Sequence, residues 1–269
     1  MTALVSTQRH GQILVVTIDN PPANAISRRT SREIYAAFAA FQEDEDLRVA
    51  ILTGAGDRIF SGGWDLKESD ESLTADLYYD TQVGNGPGGF GGIAEFWGLT
   101  KPVIAAVNGA AAGGGFEITL ACDMIVAAEH ARFLLPETRI GLLPMAGGIQ
   151  NLHRRIPYNI AMHLMMTGKP ISASEAARWG LVNEVVPLGE ALAAAMRHAE
   201  KICESAPLAI EGLKEVMRYT SHLSARDGFA AVRNPPSELK KYKAIANSED
   251  SLEGPRAFME KRKPQWRGR

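Results

Sequence analysis

Residues 12–19 (QILVVTID) form a run of β-branched and other apolar side chains that stops at Asn20-Pro21-Pro22, the pattern of a strand entering a loop. Ser27 follows as a candidate N-cap. Ile34, Phe38 and Phe41 then recur at i, i+4 and i+7, which predicts an amphipathic helix. Three more short runs read as strands: 48–53 (RVAILT), closed by Gly54, then 102–107 (PVIAAV) and 124–127 (MIVA). Helical segments separate them, so the first half alternates strand and helix and the fold class is α/β. These strands are apolar at consecutive positions, so both faces of their sheet are expected to be covered. Residues 82–92 read as loop. After Pro187 the strand-like runs cease, and 188–205, 207–220, 224–247 and 252–262 read as helices. The predicted organisation is a core over 1–187 and a helical region over 188–269, with no tandem repeat of solenoid length.

Composition narrows the classes. Apolar residues make up 45% and charged residues 22% of 269 positions, as in ordinary soluble globular proteins. The net charge of −2 gives no bulk attraction to nucleic acid or to a membrane surface. No apolar run reaches membrane-spanning length. Cys122 and Cys203 sit in apolar, helix-like contexts and are too few for a disulfide framework or a zinc site of their own. The first residues, MTALVSTQRHG, lack the basic–apolar–small pattern of an export signal. For a bacterial source, the expected location is the cytoplasm.

Two glycine-rich segments carry candidate chemistry, and a third does not. Residues 84–89 (GNGPGG) match a dinucleotide-binding spacing, but they follow a polar stretch and contain Pro87, so they read as a flexible loop near a site. Residues 108–117 (NGAAAGGGFE) instead leave a buried strand and enter a helix. Three successive glycines there suit a sharp turn whose backbone something approaches closely. Free N–H groups and the helix dipole at such a point favour negative charge. The alternative is a tight turn with no ligand. Glu117 lies in the first turn of an otherwise apolar helix, and Glu137 follows Leu134-Leu135-Pro136. Each is either a helix-start carboxylate or half of an acid/base pair. Residues 59–67 (IFSGGWDLK) form another glycine turn after a strand, which can supply a further backbone N–H.

Taken in order, FSGGWDLKE, NGAAAGGGFE and LLPETRIGLLPMAGGIQNL resemble the crotonase (enoyl-CoA hydratase/isomerase) superfamily, as does the tail EGPRAFMEKRKPQW. The resemblance covers nearly the whole chain. It implies a crotonase (ClpP-like) fold, a repeated ββα spiral with a C-terminal helical region that serves assembly and CoA contact. It implies an oxyanion hole made by the amides of Trp64 and Gly114, with Glu117 and Glu137 as catalytic acid/base residues. The family usually has a small residue at position 64, but a backbone donor tolerates a tryptophan. Gly62, Asp65, Leu66 and Lys67 would bind CoA and substrate, with Lys67 and the segment around it lining the pantetheine and adenine region, and Phe258 and Lys261 would reach CoA held mainly by an adjacent subunit. No metal and no separate cofactor is implied, CoA being part of the substrate. The implied assembly is a homotrimer or a dimer of trimers.

The activity so implied is reversible hydration of a 2-enoyl-CoA. Within the family the likeness is greatest to a branch whose acyl group carries a trimethylammonium, for which Trp64, Phe90, Trp97 and Phe116 are candidate aromatic faces. Three other readings stay open. One is another acyl-CoA reaction of the family, such as isomerisation. A dehalogenase's aspartate has no counterpart in Met145-Ala146-Gly147-Gly148. Another is a non-catalytic acyl-CoA-binding protein. The third is a nicotinamide-dependent oxidoreductase using the 84–89 glycines.

Overall fold

The structure is a computed structural model that describes residues 3–65, 67 and 84–269. The four predicted strands are present as β2 (Ile13–Ile18), β3 (Val49–Gly54), β5 (Val103–Val107) and β7 (Met124–Ala128). The last three are each followed, after a short turn, by a three-residue strand: β4 (Ile59–Ser61), β6 (Ala110–Ala112) and β8 (Arg132–Leu134). With β1 (Val5–His10), β9 (Ile171–Ser172) and β10 (Glu184–Val186), they form two sheets, ordered β1-β2-β3-β5-β7-β10 and β4-β6-β8-β9. Each strand pair therefore places one strand in each sheet, which is the ββα spiral. Pairing is parallel except at β1–β2 and β8–β9.

The consecutive apolar positions of the large-sheet strands divide by parity between two cores. Leu14, Val16, Ala50, Leu52, Val103, Ala105, Ile125 and Ala127 point to one face, where Ile34, Phe38 and Phe41 of helix α1 (Arg28–Glu43) meet them. Ile13, Val15, Val49, Ile51, Ile104, Ala106, Val126 and Ala128 point to the other. Helix α6 (Ala191–Cys203) covers that second face with Ala191, Ala194, Ala195 and Ala199, small side chains that let it lie close to the sheet. The helical region after position 187 thus gives its first helix to the sheet.

The remaining helices are α2 (Gly114–Ala121), α3 (Gly148–Arg155), α4 (Tyr158–Thr167), α5 (Ala173–Arg178), α7 (Pro207–Thr220), α8 (Ala225–Arg233), α9 (Lys240–Ile245) and α10 (Glu249–Met259). The single helix predicted over 224–247 is two. Pro235 and Pro236 lack the N–H a helix needs and push the residue before each toward extended backbone, so α8 ends at Arg233. The last helix starts earlier than predicted because Ser248 caps it, accepting from the Ser251 N–H at 3.1 Å. Strand β1 escaped the apolar pattern because it is an exposed edge strand, VSTQRH.

Packing α6 by alanines leaves no room for a larger side chain. Ala195→Leu is expected to destabilise the protein by about 1–3 kcal/mol through overpacking. Ala193→Leu, on the exposed side of α6, should change stability little. Urea unfolding of the two variants checks this.

Candidate active site

Strands β4 and β6 lie side by side, with Ser61 opposite Ala111. Each runs directly into a glycine turn, and the two turns touch. A Cβ on Gly63 would sit 2.6 Å from the Ala112 carbonyl oxygen and 2.9 Å from the Gly114 nitrogen. Gly63 and Gly113 have φ of +84° and +53°, left-handed values that glycine takes without strain. Gly113 caps α2, which begins at Gly114.

Hydrogen bonds aim the two amides singled out from the sequence. The Gly63 carbonyl accepts from the Ile26 N–H at 2.7 Å, and the Ile26 carbonyl accepts from Asp65 at 3.0 Å. Across a planar trans peptide the carbonyl and the next N–H point in opposite directions, so the Trp64 N–H faces away from Ile26. The Gly113 carbonyl accepts from Phe116 at 2.8 Å and Glu117 at 3.0 Å, so the Gly114 N–H faces out of the start of α2. Among the described residues neither N–H has an acceptor.

Both carboxylates stand beside these turns. Glu117 is only 3% exposed, and its Oε1 accepts from the Gly148 N–H at 2.8 Å. Burial pushes its pKa up to about 8 against the pull of that amide, with the Glu137 charge adding to the rise. Glu137 opens a 3₁₀ turn, Glu137–Ile140, after β8. Its Oε1 lies 2.8 Å from where a Cβ on Gly113 would be, so the carboxylate rests on the turn. Burial raises its pKa as well. Its Oε2 is buried and has no hydrogen-bond partner among the described residues. Two free donors, a protonated acid and an open carboxylate oxygen thus share one locality. The arrangement can polarise a carbonyl and move protons on and off a neighbouring carbon chain.

The other predicted residues divide. The Gly62 N–H is held by the Ala23 carbonyl at 2.8 Å, and Asp65 Oδ1 accepts from the exposed Lys67 amide at 3.2 Å. Leu66 lies outside the described residues. Phe258 is 85% exposed near the end of α10, and Lys261 follows it, also exposed. Neither packs on Gly113–Gly115 within one chain. Of the four aromatic candidates, Phe116 is core, its ring 5.1 Å from that of Phe133. Trp97 is 74% exposed and lines a separate cavity with Arg218 and Tyr219. Trp64 is half-buried against the core, and Phe90 lies on Gly114, where a Cβ would collide with the ring edge.

The 84–92 segment is not the loose loop its glycines imply. Gly91 donates to Ser31 Oγ at 3.0 Å, and a Cβ on it would collide with Ile118 Cγ2. The glycines wedge the segment between α1 and α2, which seats Phe90. Sequence reasoning also missed the Gly147–Gly148 turn that holds Glu117, although a second glycine pair ahead of a helix was its visible signal.

The chain belongs to the enoyl-CoA hydratase/isomerase family, whose profile matches residues 8–269. Over 268 residues, and the full length of both chains, it is 47% identical to a carnitinyl-CoA dehydratase of Salmonella arizonae. A carnitinyl-CoA dehydratase of Salmonella typhi is also 47% identical over the full length of both. Among solved structures it resembles an enoyl-CoA hydratase from Mycobacterium tuberculosis, with a TM-score of 0.86 and 37% identity over 99% of each chain. An enoyl-CoA hydratase from Bacillus anthracis gives 0.88 and 33%, covering 99% of this chain and 100% of that one.

The Glu117 environment has a measurable cost. The carboxyl ionises near 4.5 in an unfolded chain and at about 8 in the folded protein. Its contribution to stability is fully present below the unfolded value and is lost as pH rises through the folded one. The unfolding free energy should therefore fall between about pH 5 and about pH 9. Glu117→Gln, which cannot ionise, should flatten that fall. Denaturant titrations across the range check it, and parallel curves for the two proteins would contradict it.

Proposed function

We propose that the protein catalyses reversible hydration of a 2-enoyl-CoA thioester, with an acyl group of the carnitinyl type. The observation that carries this reading is the pair of acceptor-free amides, Trp64 and Gly114, beside one buried and one half-buried carboxylate. Full-length identity to carnitinyl-CoA dehydratases supports it.

The two amides bind the thioester oxygen and hold the negative charge that grows on it. In hydration, ionised Glu117 takes a proton from water as the water oxygen bonds to the β-carbon. The electron pair moves onto the thioester oxygen, and protonated Glu137 returns a proton to the α-carbon. Dehydration is the reverse, starting from protonated Glu117 and ionised Glu137. The free enzyme favours that second form, because Glu137 is the less buried and its charge helps hold the proton on Glu117. Gly62, Asp65 and Lys67, together with Leu66 by the sequence resemblance alone, are assigned to CoA binding. Phe258 and Lys261 act on CoA in a neighbouring subunit of a homotrimer or dimer of trimers. The exposed apolar side chains of the C-terminal helices, Met217, Phe229, Leu252 and Phe258, fit burial in such an assembly. No metal or separate cofactor has a part in this scheme.

Loss of the conjugated-thioester absorbance of crotonyl-CoA and crotonobetainyl-CoA tests the reading directly. Activity on neither would remove it. Glu117→Gln and Glu137→Gln should each lower turnover by at least about a hundredfold while thioester binding survives, in line with general acid–base catalysis. Near wild-type turnover in either variant would remove that residue's role.

Phe90 is an aromatic side chain whose ring edge lies on Gly114, so it is the side chain we assign to contact with a quaternary ammonium. Phe90→Leu should lower the kcat/KM preference for crotonobetainyl-CoA over crotonyl-CoA by a factor of about two to thirty, the worth of one cation–π contact. A preserved ratio, whatever the absolute rates, would place the ammonium elsewhere.

A further inference from the structure

Ser61 touches both halves of the oxyanion site without being able to reach the substrate. It ends β4 and is wholly buried. Its hydroxyl donates to the Asn24 carbonyl at 2.8 Å and accepts from the Gly63 N–H at 3.1 Å. On its other side, its carbonyl oxygen and Cβ lie against Gly115. A Cβ on that glycine would collide with the Ser61 oxygen and lie 2.8 Å from the Ser61 Cβ. The residue is therefore wedged between the Gly62–Gly63 peptide, next to the one that carries the Trp64 N–H, and the backbone at Gly115.

The hydroxyl's place in the turn is particular. Of the described amides from Gly62 to Asp65, those of Gly62 and Asp65 are held by backbone carbonyls, of Ala23 and Ile26. That of Trp64 is free. Only that of Gly63 is held by a side chain, Ser61 Oγ. A glycine at φ +84° has no Cβ to limit its torsions, so what stops the turn from rocking is the set of bonds on its two peptides. Ile26 fixes one peptide through the Gly63 carbonyl, and Ser61 fixes the other. The hydroxyl is anchored in turn by Asn24, whose side chain donates to the Ala55 and Ile59 carbonyls at 3.0 and 2.9 Å. Rigid donors are what make an oxyanion hole effective, since they need not reorganise as charge develops.

We propose that Ser61 is a positioning residue for the hydratase reaction. Through Oγ it holds the Gly62–Gly63 peptide and so fixes the Gly63 Cα on which the next peptide hinges, complementing the Ile26 bond that aims the Trp64 N–H; through its backbone it sets the distance to the Gly114 donor. This rests on the hydratase reading above. Removing the hydroxyl leaves the CoA contacts in place but loosens the hinge of one oxyanion donor, whose turn then keeps only its bonds to Ala23 and Ile26. The effect falls on turnover and on polarisation of the bound carbonyl, not on affinity.

The test uses Ser61→Ala and Ser61→Cys. The cysteine variant keeps the buried volume while offering only a weak hydrogen-bonding group. Each is compared with wild type by hydration kinetics and by the absorption of bound 4-dimethylaminocinnamoyl-CoA, a push–pull enoyl thioester that reddens when its carbonyl is polarised. The expected result is kcat lower by about tenfold in both variants, a fraction of what losing a whole oxyanion donor costs. KM should stay close to wild type and the red shift should shrink. If Ser61→Ala does not fold, Ser61→Cys decides. Wild-type turnover and an undiminished red shift in a folded variant overturn the proposal. Lower turnover with the full red shift overturns it too, because the loss would then arise outside the oxyanion site. A wild-type protein that neither hydrates enoyl-CoA nor reddens the probe brings down the hydratase reading, and this one with it.

Discussion

The geometry of the candidate site depends on one close approach, the contact between the turn after β4 and the turn after β6. Two backbone segments can lie that near each other only where no Cβ intervenes, and Gly63 and Gly113–Gly115 meet that condition. The approach is forced by the spiral, because β4 and β6 are neighbours in the small sheet and both end at the same level. Once the two turns touch, their hydrogen bonds leave a free N–H on each. The elements next in the chain then place the two carboxylates. Helix α2, which starts at the second turn, carries Glu117, and β8, paired to β6, leads to Glu137.

That geometry carries a cost in the empty protein. A carboxyl as buried as Glu117 has its ionised form penalised, and the hydrogen bond from Gly148 does not cancel the penalty. Glu137 leaves one oxygen with no donor among the described residues. Such groups are destabilising as structure, and they make sense where a reacting molecule supplies the missing partner. The unequal burial of the two carboxyls also separates their proton affinities, which is what the proposed division into an acid and a base requires.

Much of this was legible in the sequence, and the remainder was hidden for definite reasons. Strands β2, β3, β5 and β7 announced themselves as apolar runs because both their faces are covered. The glycine triplet beside Glu117 was visible because three glycines in a row are costly unless a turn requires them. Strands β4, β6 and β8 were not, since three residues show no period. The break between α8 and α9 was written in Pro235-Pro236 and was overridden by the apolar spacing on either side. Phe90 and Trp97 look alike in sequence, seven positions apart. Only tertiary packing puts one on Gly114 and the other on the surface, and the placement of the Ser61 hydroxyl is long-range in the same way. The division at 187 captured where strands end, but not that α6 completes the core of the large sheet.

The way the later helices are fastened ties the helical region to the strands that lead to the candidate site. Lys214 of α7 is buried and donates to Asp123 Oδ2 at 2.6 Å and to the Lys101 carbonyl at 2.8 Å. Asp123 Oδ2 also accepts from the Val103 N–H at 2.8 Å. Burial pulls the Lys214 pKa down while the Asp123 charge opposes it, so the pair holds only as a unit. Its contacts fall at the starts of β5 and β7, and those strands lead through their turns to β6, β8 and the two glutamates. Helix α7 is therefore clamped to the ends of the strands remote from the glycine turns. From there it steadies the sheet without crowding the turns, and α8 to α10 stay free to present their apolar side chains outward.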